Sequence, residues 1–224
     1  MNVTRAFSFV FDDPGWWKIT LVIGLLQLIP VIGQIVGLGC IVAIARAVAN
    51  GQERPLPQLN QLGALFSAGV YSATICIVYS LPIFLISCLF SCLLGASIAF
   101  AGNSESTFII LIGLMLCSSV FIVPLSLIIQ ILLIVGIGRY VQTGSVSAAF
   151  QPGSVWALLQ RYPAEWLVLW LLSLLCGTVA SFGTFALLVG LVVSIPYATF
   201  VFGHLLGQTV QQVTSSPASP TLSS

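Results

Sequence analysis

Charge is almost missing from this chain. Six lysines or arginines, five aspartates or glutamates and a single histidine stand in 224 residues, so that charged side chains make up 5% of the total. A set this sparse cannot build the basic face that nucleic acid requires, which excludes nucleic acid as a partner. A separate soluble domain is excluded too, because the chain is 58% hydrophobic and its mean hydropathy of +1.14 lies far outside the soluble range. Patterns that carry chemistry are equally scarce. There is no glycine-rich phosphate loop, no His-x-x-x-His or His-Glu-x-x-His spacing and no Ser-His-Asp set, so the expectation is a noncatalytic protein with no cofactor and no metal. The six cysteines all lie in apolar runs and none forms a Cys-x-x-Cys pair. Cys88 and Cys92 share a helical face at i, i+4 but read as packing thiols. No carboxylate lies deep in an apolar run, which speaks against transport through an intramembrane Asp or Glu proton relay.

What the chain has is length without charge. Four apolar stretches run from Ile19 to Val48, Ala64 to Phe100, Thr107 to Gly138 and Trp166 to Leu206. A helix needs about 20 apolar residues to cross the hydrocarbon core, and only helices or closed barrels satisfy their backbone groups there. The fold class is therefore all-α, a polytopic transmembrane helical bundle in the lipid bilayer. The second run exceeds one crossing at about 1.5 Å per residue, so it must tilt, kink or project; Pro82 offers a kink there, and Pro124 offers one in the third run.

Basic residues decide how the first run is used. If it crosses once, Arg5 and Lys18 face one side and Arg46, Arg54, Arg139 and Arg161 the other. If it turns back near Pro30-Val31-Ile32-Gly33, all six share one side, as the positive-inside rule prefers. A second hairpin is expected near Phe182-Gly183-Thr184. Residues 1–213 then form one transmembrane domain. It holds an interfacial helix over 1–17, a hairpin over 18–50, single spans over 64–100 and 107–138, a second interfacial helix over 145–163 and a hairpin over 166–211. A disordered tail follows over 214–224. The count is six spans with both termini cytoplasmic. Each leg of the first hairpin has only about 16 residues, at or below the limit for crossing, so a re-entrant first hairpin and a four-span layout stay open.

A short internal repeat supports the two hairpins. Val10-Phe11-Asp12-Asp13-Pro14-Gly15-Trp16-Trp17 is echoed by Leu159-Gln160-Arg161-Tyr162-Pro163-Ala164-Glu165-Trp166. Each copy follows an amphipathic stretch, and their tryptophans are expected at the headgroup boundary. Asp12 and Asp13 are the only adjacent carboxylates; a helix-end role outweighs acid-base work. Because Arg161 is their counterpart in the repeat, an Asp-Arg pair between the two interfacial helices is a hypothesis.

The remaining polar candidates are few. His204 is an intramembrane histidine near a helix end, favoured as a structural hydrogen-bonding group over a functional one. Arg46 is expected to snorkel to the surface. Gln27 and Gln34, seven residues apart, are expected to share a helical face and to bond between helices. Two close-packing motifs, Gly33-Gln34-Ile35-Val36-Gly37 and Gly203-His204-Leu205-Leu206-Gly207, let helices approach closely and could serve other membrane proteins, a second copy of the chain or internal packing alone.

Several of these strings together resemble a family. Phe11-Asp12-Asp13-Pro14-Gly15-Trp16-Trp17-Lys18, Leu28-Ile29-Pro30-Val31-Ile32-Gly33, Arg46-Ala47-Val48-Ala49-Asn50-Gly51 and Pro55-Leu56-Pro57 are similar to the bacterial and archaeal membrane proteins grouped as domain-of-unknown-function family 4013. The resemblance is sharpest between Phe7 and Tyr79. It implies a prokaryotic cytoplasmic membrane and a multi-span helical fold, and it carries no activity, substrate or catalytic residue. The functional expectation is association with partner membrane proteins or organisation of lipid, with a transporter, channel or lipid-handling permease as the alternative.

Overall fold

A computed structural model describes residues 2–101, 105–183 and 187–215. Every regular element among them is helical. The helices are α1 (Val3–Ser8), α2 (Trp16–Gln27), α3 (Ile32–Ala49), α4 (Leu62–Ala101), α5 (Glu105–Thr143), α6 (Val146–Ala149), α7 (Pro152–Arg161), α8 (Pro163–Phe182) and α9 (Leu187–Ser215), and a 3-10 turn at Phe9–Asp12 extends α1. Five helices, α3, α4, α5, α8 and α9, are long and apolar enough to cross a membrane. The helix α2, expected as the first leg of a hairpin, has only 12 residues and rises about 18 Å, short of the ~30 Å core, so it is not among them. The tail also begins later than expected: α9 remains helical through Ser215, and residues 216–224 lie outside the described residues.

The chain divides into two compact units, residues 1–75 with 134–224, and residues 76–133. In the first unit the repeat is visible as structure. Each copy is a short helix, a proline, and a helix pair: α1, Pro14, α2 and α3 in one, α7, Pro163, α8 and α9 in the other. The prolines act where they cost least. Pro163 sits at the first turn of α8, where its missing N–H has no helical partner to lose. Ahead of α2, the Asp13 carboxylate accepts the Gly15 N–H at 2.8 Å and the Asp13 carbonyl accepts the Trp16 N–H at 3.0 Å, a turn that re-aims the chain. The second legs, α3 and α9, pack on each other, and α2 packs on both. Their shared core includes Phe9, Val10, Ile23, Cys40, Ile44 and Phe200.

The break between α2 and α3 is a three-residue γ-turn. Ile32 N–H donates to the Pro30 carbonyl at 2.8 Å, and Val31 stands at φ 70°, a strained region for a β-branched residue. At its far end α3 closes without strain. Gly51 takes φ 73°, its N–H donates to Val48 O at 2.9 Å, and the Gln52 N–H donates to Ala47 O at 3.0 Å. This paired closure satisfies carbonyls that a helix end would otherwise leave open.

Glycine, not polar contact, brings these helices together. A Cβ on Gly39 would meet the Leu65 carbonyl, one on Gly69 the Ile35 carbonyl, and one on Gly24 the Val192 carbonyl. These backbones lie in direct contact across the α3–α4 and α2–α9 crossings, as small residues permit in apolar bundles. Most serines and threonines donate back to a carbonyl three or four residues earlier in their own helix, as Thr20 does to Trp16 at 2.8 Å and Ser72 to Ala68 at 2.9 Å, which satisfies the hydroxyl without linking helices. An exception is Ser194, whose hydroxyl donates from α9 to Ala180 O on α8 at 3.0 Å.

The second unit holds the later part of α4 and the earlier part of α5. Among its described side chains only Ser118 is buried. Phe84, Leu89, Val120 and Phe121 are each more than 60% exposed, the pattern of helices built for an apolar surrounding.

Candidate functional site

The expected polar residues separate into three places. Near the N-terminus, Asp12 pairs with Arg5 at 2.9 Å, and Asp13 spends its carboxylate on the turn before α2. The hypothesised pairing of Asp12 with Arg161 is not what the structure contains. A partner seven residues earlier in the chain takes the same carboxylate, and the Arg161 guanidinium instead lies over the Tyr162 ring at 5.5 Å. The apolar face of α1 is not laid on lipid either, because Ala6 and Val10 are fully buried. Its partner is α9: the Tyr197 hydroxyl donates to Phe7 O at 2.8 Å.

His204 belongs to the same fastening. It is buried, its ring stacks against Phe9 at 4.4 Å between centroids, and its Nδ1 lies 3.1 Å from the Gln208 amide nitrogen. Gln208 also holds Asn2, donating to its carbonyl at 3.1 Å and accepting its N–H at 2.7 Å. His204 is thus held in a hydrogen-bonded cluster that ties α9 to the start of the chain. Gln208, one turn later on the same face, and Asn2 were not picked out in advance.

The glutamines behave differently from expectation. The γ-turn at Val31 falls between Gln27 and Gln34 and puts them on separate helices, so they share no helical face. Gln27 lies against Gly37, where an added Cβ would come 2.8 Å from its amide nitrogen. Its Oε1 is buried without a hydrogen-bond partner among the described residues, whereas Gln34 is exposed. Gly33 packs on the backbone of Leu26 and Gln27, while Gly203 and Gly207 pack on Ile41, Ala45 and Val48. Both close-packing motifs are thereby engaged inside the first unit. Trp166, expected at the headgroup boundary, is covered by protein. It is fully buried with its ring tip against Gly138, because the glycine leaves a socket that an aromatic ring fills.

The third place is the one with open polar space. The C-terminal ends of α3, α5 and α9 line a cavity of about 560 Å³ that includes Arg46, Asn50, Gln142 and Gln211. Arg46 and Asn50, one turn apart on α3, also line a second cavity of about 320 Å³ that includes Gln52 and Arg54 from the following loop. Arg46 does not simply snorkel outward. It is half-buried, with Nη2 donating to Tyr140 O at 3.3 Å and the guanidinium over the Tyr140 ring at 4.7 Å, a cation-π contact that fixes its orientation. Arg139 stands nearby, donating to Gln142 at 3.5 Å, with its Nε buried and without a partner among the described residues. The resulting chemistry is directional hydrogen bonding and positive charge. No group of three or more metal-ligating side chains occurs among the described residues.

A family model described as a protein of unknown function, DUF4013, matches residues 22–189. No curated protein and no solved structure matches the chain.

Proposed function

The chain belongs to the DUF4013 family of proteins of unknown function, and from that premise we propose that it is a noncatalytic multi-pass membrane protein that associates with other membrane proteins through α4 and α5. One observation carries this reading. The helices α4 and α5 have 40 and 39 residues, so each rises about 60 Å, twice the ~30 Å hydrocarbon thickness, and apart from Ser118 the described side chains of residues 76–133 are exposed or partly exposed. To hide that length in lipid alone, each helix would tilt by about 60°, beyond the observed range of roughly 0–40°. An excess of about 30 Å, at fractions of a kcal/mol per Å, costs on the order of 10 kcal/mol per helix. Covering the excess with another protein removes the cost.

The transporter or permease reading keeps one specific support. Pro82, Pro124 and Pro196 each lie inside a long helix, and proline-interrupted helices in repeated halves are a feature of transporters. It ranks second because the polar cavities found here sit at helix ends.

The native thiols offer a direct test. Cys88, Cys92 and Cys117 are exposed, all within residues 76–133, whereas Cys40 and Cys176 are buried. Mild oxidation of membranes is expected to link the chain to a second copy or to another membrane protein through this segment. Replacing the three exposed cysteines with serine should abolish the product. A chain that stays unlinked under every oxidising condition, with its thiols still reactive to small maleimides, would contradict the proposal.

A further inference from the structure

We propose that the two cavities joined at Arg46 and Asn50 form a single binding site for a phosphate group, carried either by a phospholipid headgroup or by a soluble phosphate ester. This assignment is independent of the assembly reading, which rests on α4 and α5 beyond residue 75.

Charge is the first argument. Arg46 lines both cavities and Arg54 lines the second, and no carboxylate lines either among the described residues. Glu53, beside Arg54 in sequence, is exposed and lines neither cavity. The competing effect is the partial negative charge where α3, α5 and α9 end, about half an elementary charge per helix at most. Two of those ends are already closed. Besides the paired closure at Gly51, the Asn50 N–H donates to Arg46 O at 3.0 Å. At α5 the Tyr140 carbonyl accepts the Gly144 N–H at 2.9 Å as well as Arg46. Carbonyls with partners are poor ligands for an incoming cation, so the two arginines set the sign and the site selects an anion.

Geometry is the second argument. Tyr140 engages one edge and one face of the Arg46 guanidinium, which leaves further N–H donors of its planar fork for a tetrahedral oxyanion. Asn50, Gln52 and Gln142 add neutral amide donors around it. The larger cavity, at about 560 Å³, falls within the volume range of small-molecule sites. It lies at the end of the 18-residue α3, about 27 Å from the start of that helix, a rise close to the ~30 Å thickness of a hydrocarbon core. Apolar residues in the linings, including Val141, Val210 and Leu56, give the glycerol and first acyl carbons of a lipid a surface to follow.

The test uses the full chain in nanodiscs of phosphatidylcholine, with and without phosphatidylglycerol, and reads retained lipid by native mass spectrometry. A parallel arm measures thermal stabilisation by inorganic phosphate in phosphatidylcholine alone. Wild type should retain phosphatidylglycerol in preference to phosphatidylcholine, with R54Q about fivefold weaker, R46Q weaker still, and R54K close to wild type. Because R46Q also loses its contacts to Tyr140, the exposed Arg54 decides if R46Q fails to fold. Stabilisation by inorganic phosphate that is lost in R54Q, without preference for phosphatidylglycerol, supports the site and assigns it to a soluble phosphate. Responses to both probes that are the same in wild type and R54Q overturn it.

Discussion

Leucine at Gly39 is expected to leave almost no folded protein in the membrane fraction, whereas leucine at Gly63 or Gly177 should change little. The difference lies in what an added side chain would meet. At Gly39 the first carbon already runs into the Leu65 carbonyl and comes 3.2 Å from the Gly69 nitrogen, and at Gly69 the obstacle is the Ile35 carbonyl. Those are backbone atoms of a helix and cannot rotate aside, so α3 and α4 would have to separate. Overpacking by a few methylenes costs about 1–3 kcal/mol where side chains can adjust. A whole leucine against backbone exceeds that, in a molecule whose total stability is on the order of 5–15 kcal/mol. Around Gly63 and Gly177 there is nothing within 4 Å, and leaving glycine there favours the helix slightly. Membrane-fraction yield and thermal melting in mild detergent would separate the variants. Wild-type behaviour of Gly39→Leu would mean that the α3–α4 contact does not exist.

Removal of the Trp166 ring should produce the next largest loss, about 3–5 kcal/mol for Trp166→Ala. The indole is fully buried and fills the socket over Gly138. Its Nε1 has no hydrogen-bond partner among the described residues, so Trp166→Phe gives up volume without breaking a bond and should cost much less. A methyl group at Gly138 would press on the ring tip. Gly138→Ala should therefore destabilise the wild type and be better tolerated beside Trp166→Phe, a coupling that a double-mutant cycle in melting experiments can measure. Strict additivity of the two changes would show that the ring does not occupy this socket.

What could be read from the chain alone was local, and what could not was pairing. Prolines and glycines mark their own turns, so the hairpin break near Pro30 and the helix end at Asn50-Gly51 were legible; α8 ends at Phe182, and Thr184, the last residue of the break expected at Phe182-Gly183-Thr184, lies outside the described residues. Uncharged length announced α4 and α5. The Gly33 and Gly203 motifs were visible, but not that Ile41, Ala45 and Val48 sit opposite Gly203 and Gly207, because a small-residue stripe carries no record of its partner. Asp12 failed for a related reason. A repeat suggested Arg161, while Arg5, within reach on the same short helix, wins on distance. Gln27 and Gln34 were misassigned because a helical spacing of seven was applied across the turn at Val31. Trp166 was read by its proximity to Pro163 rather than by the empty space at Gly138, which only the packed helices define. The cavity at Arg46 needs the ends of three helices from distant parts of the chain, and no short motif encodes such a convergence.

The most direct test of the assembly claim is the mass of the native particle. The tagged chain would be extracted with its surrounding membrane into polymer nanodiscs and weighed by native mass spectrometry. A second copy, or another membrane protein in fixed ratio, cross-linked to residues 76–133, is the predicted result. A lone chain surrounded only by lipid, at every concentration and in every membrane preparation tried, would contradict the account.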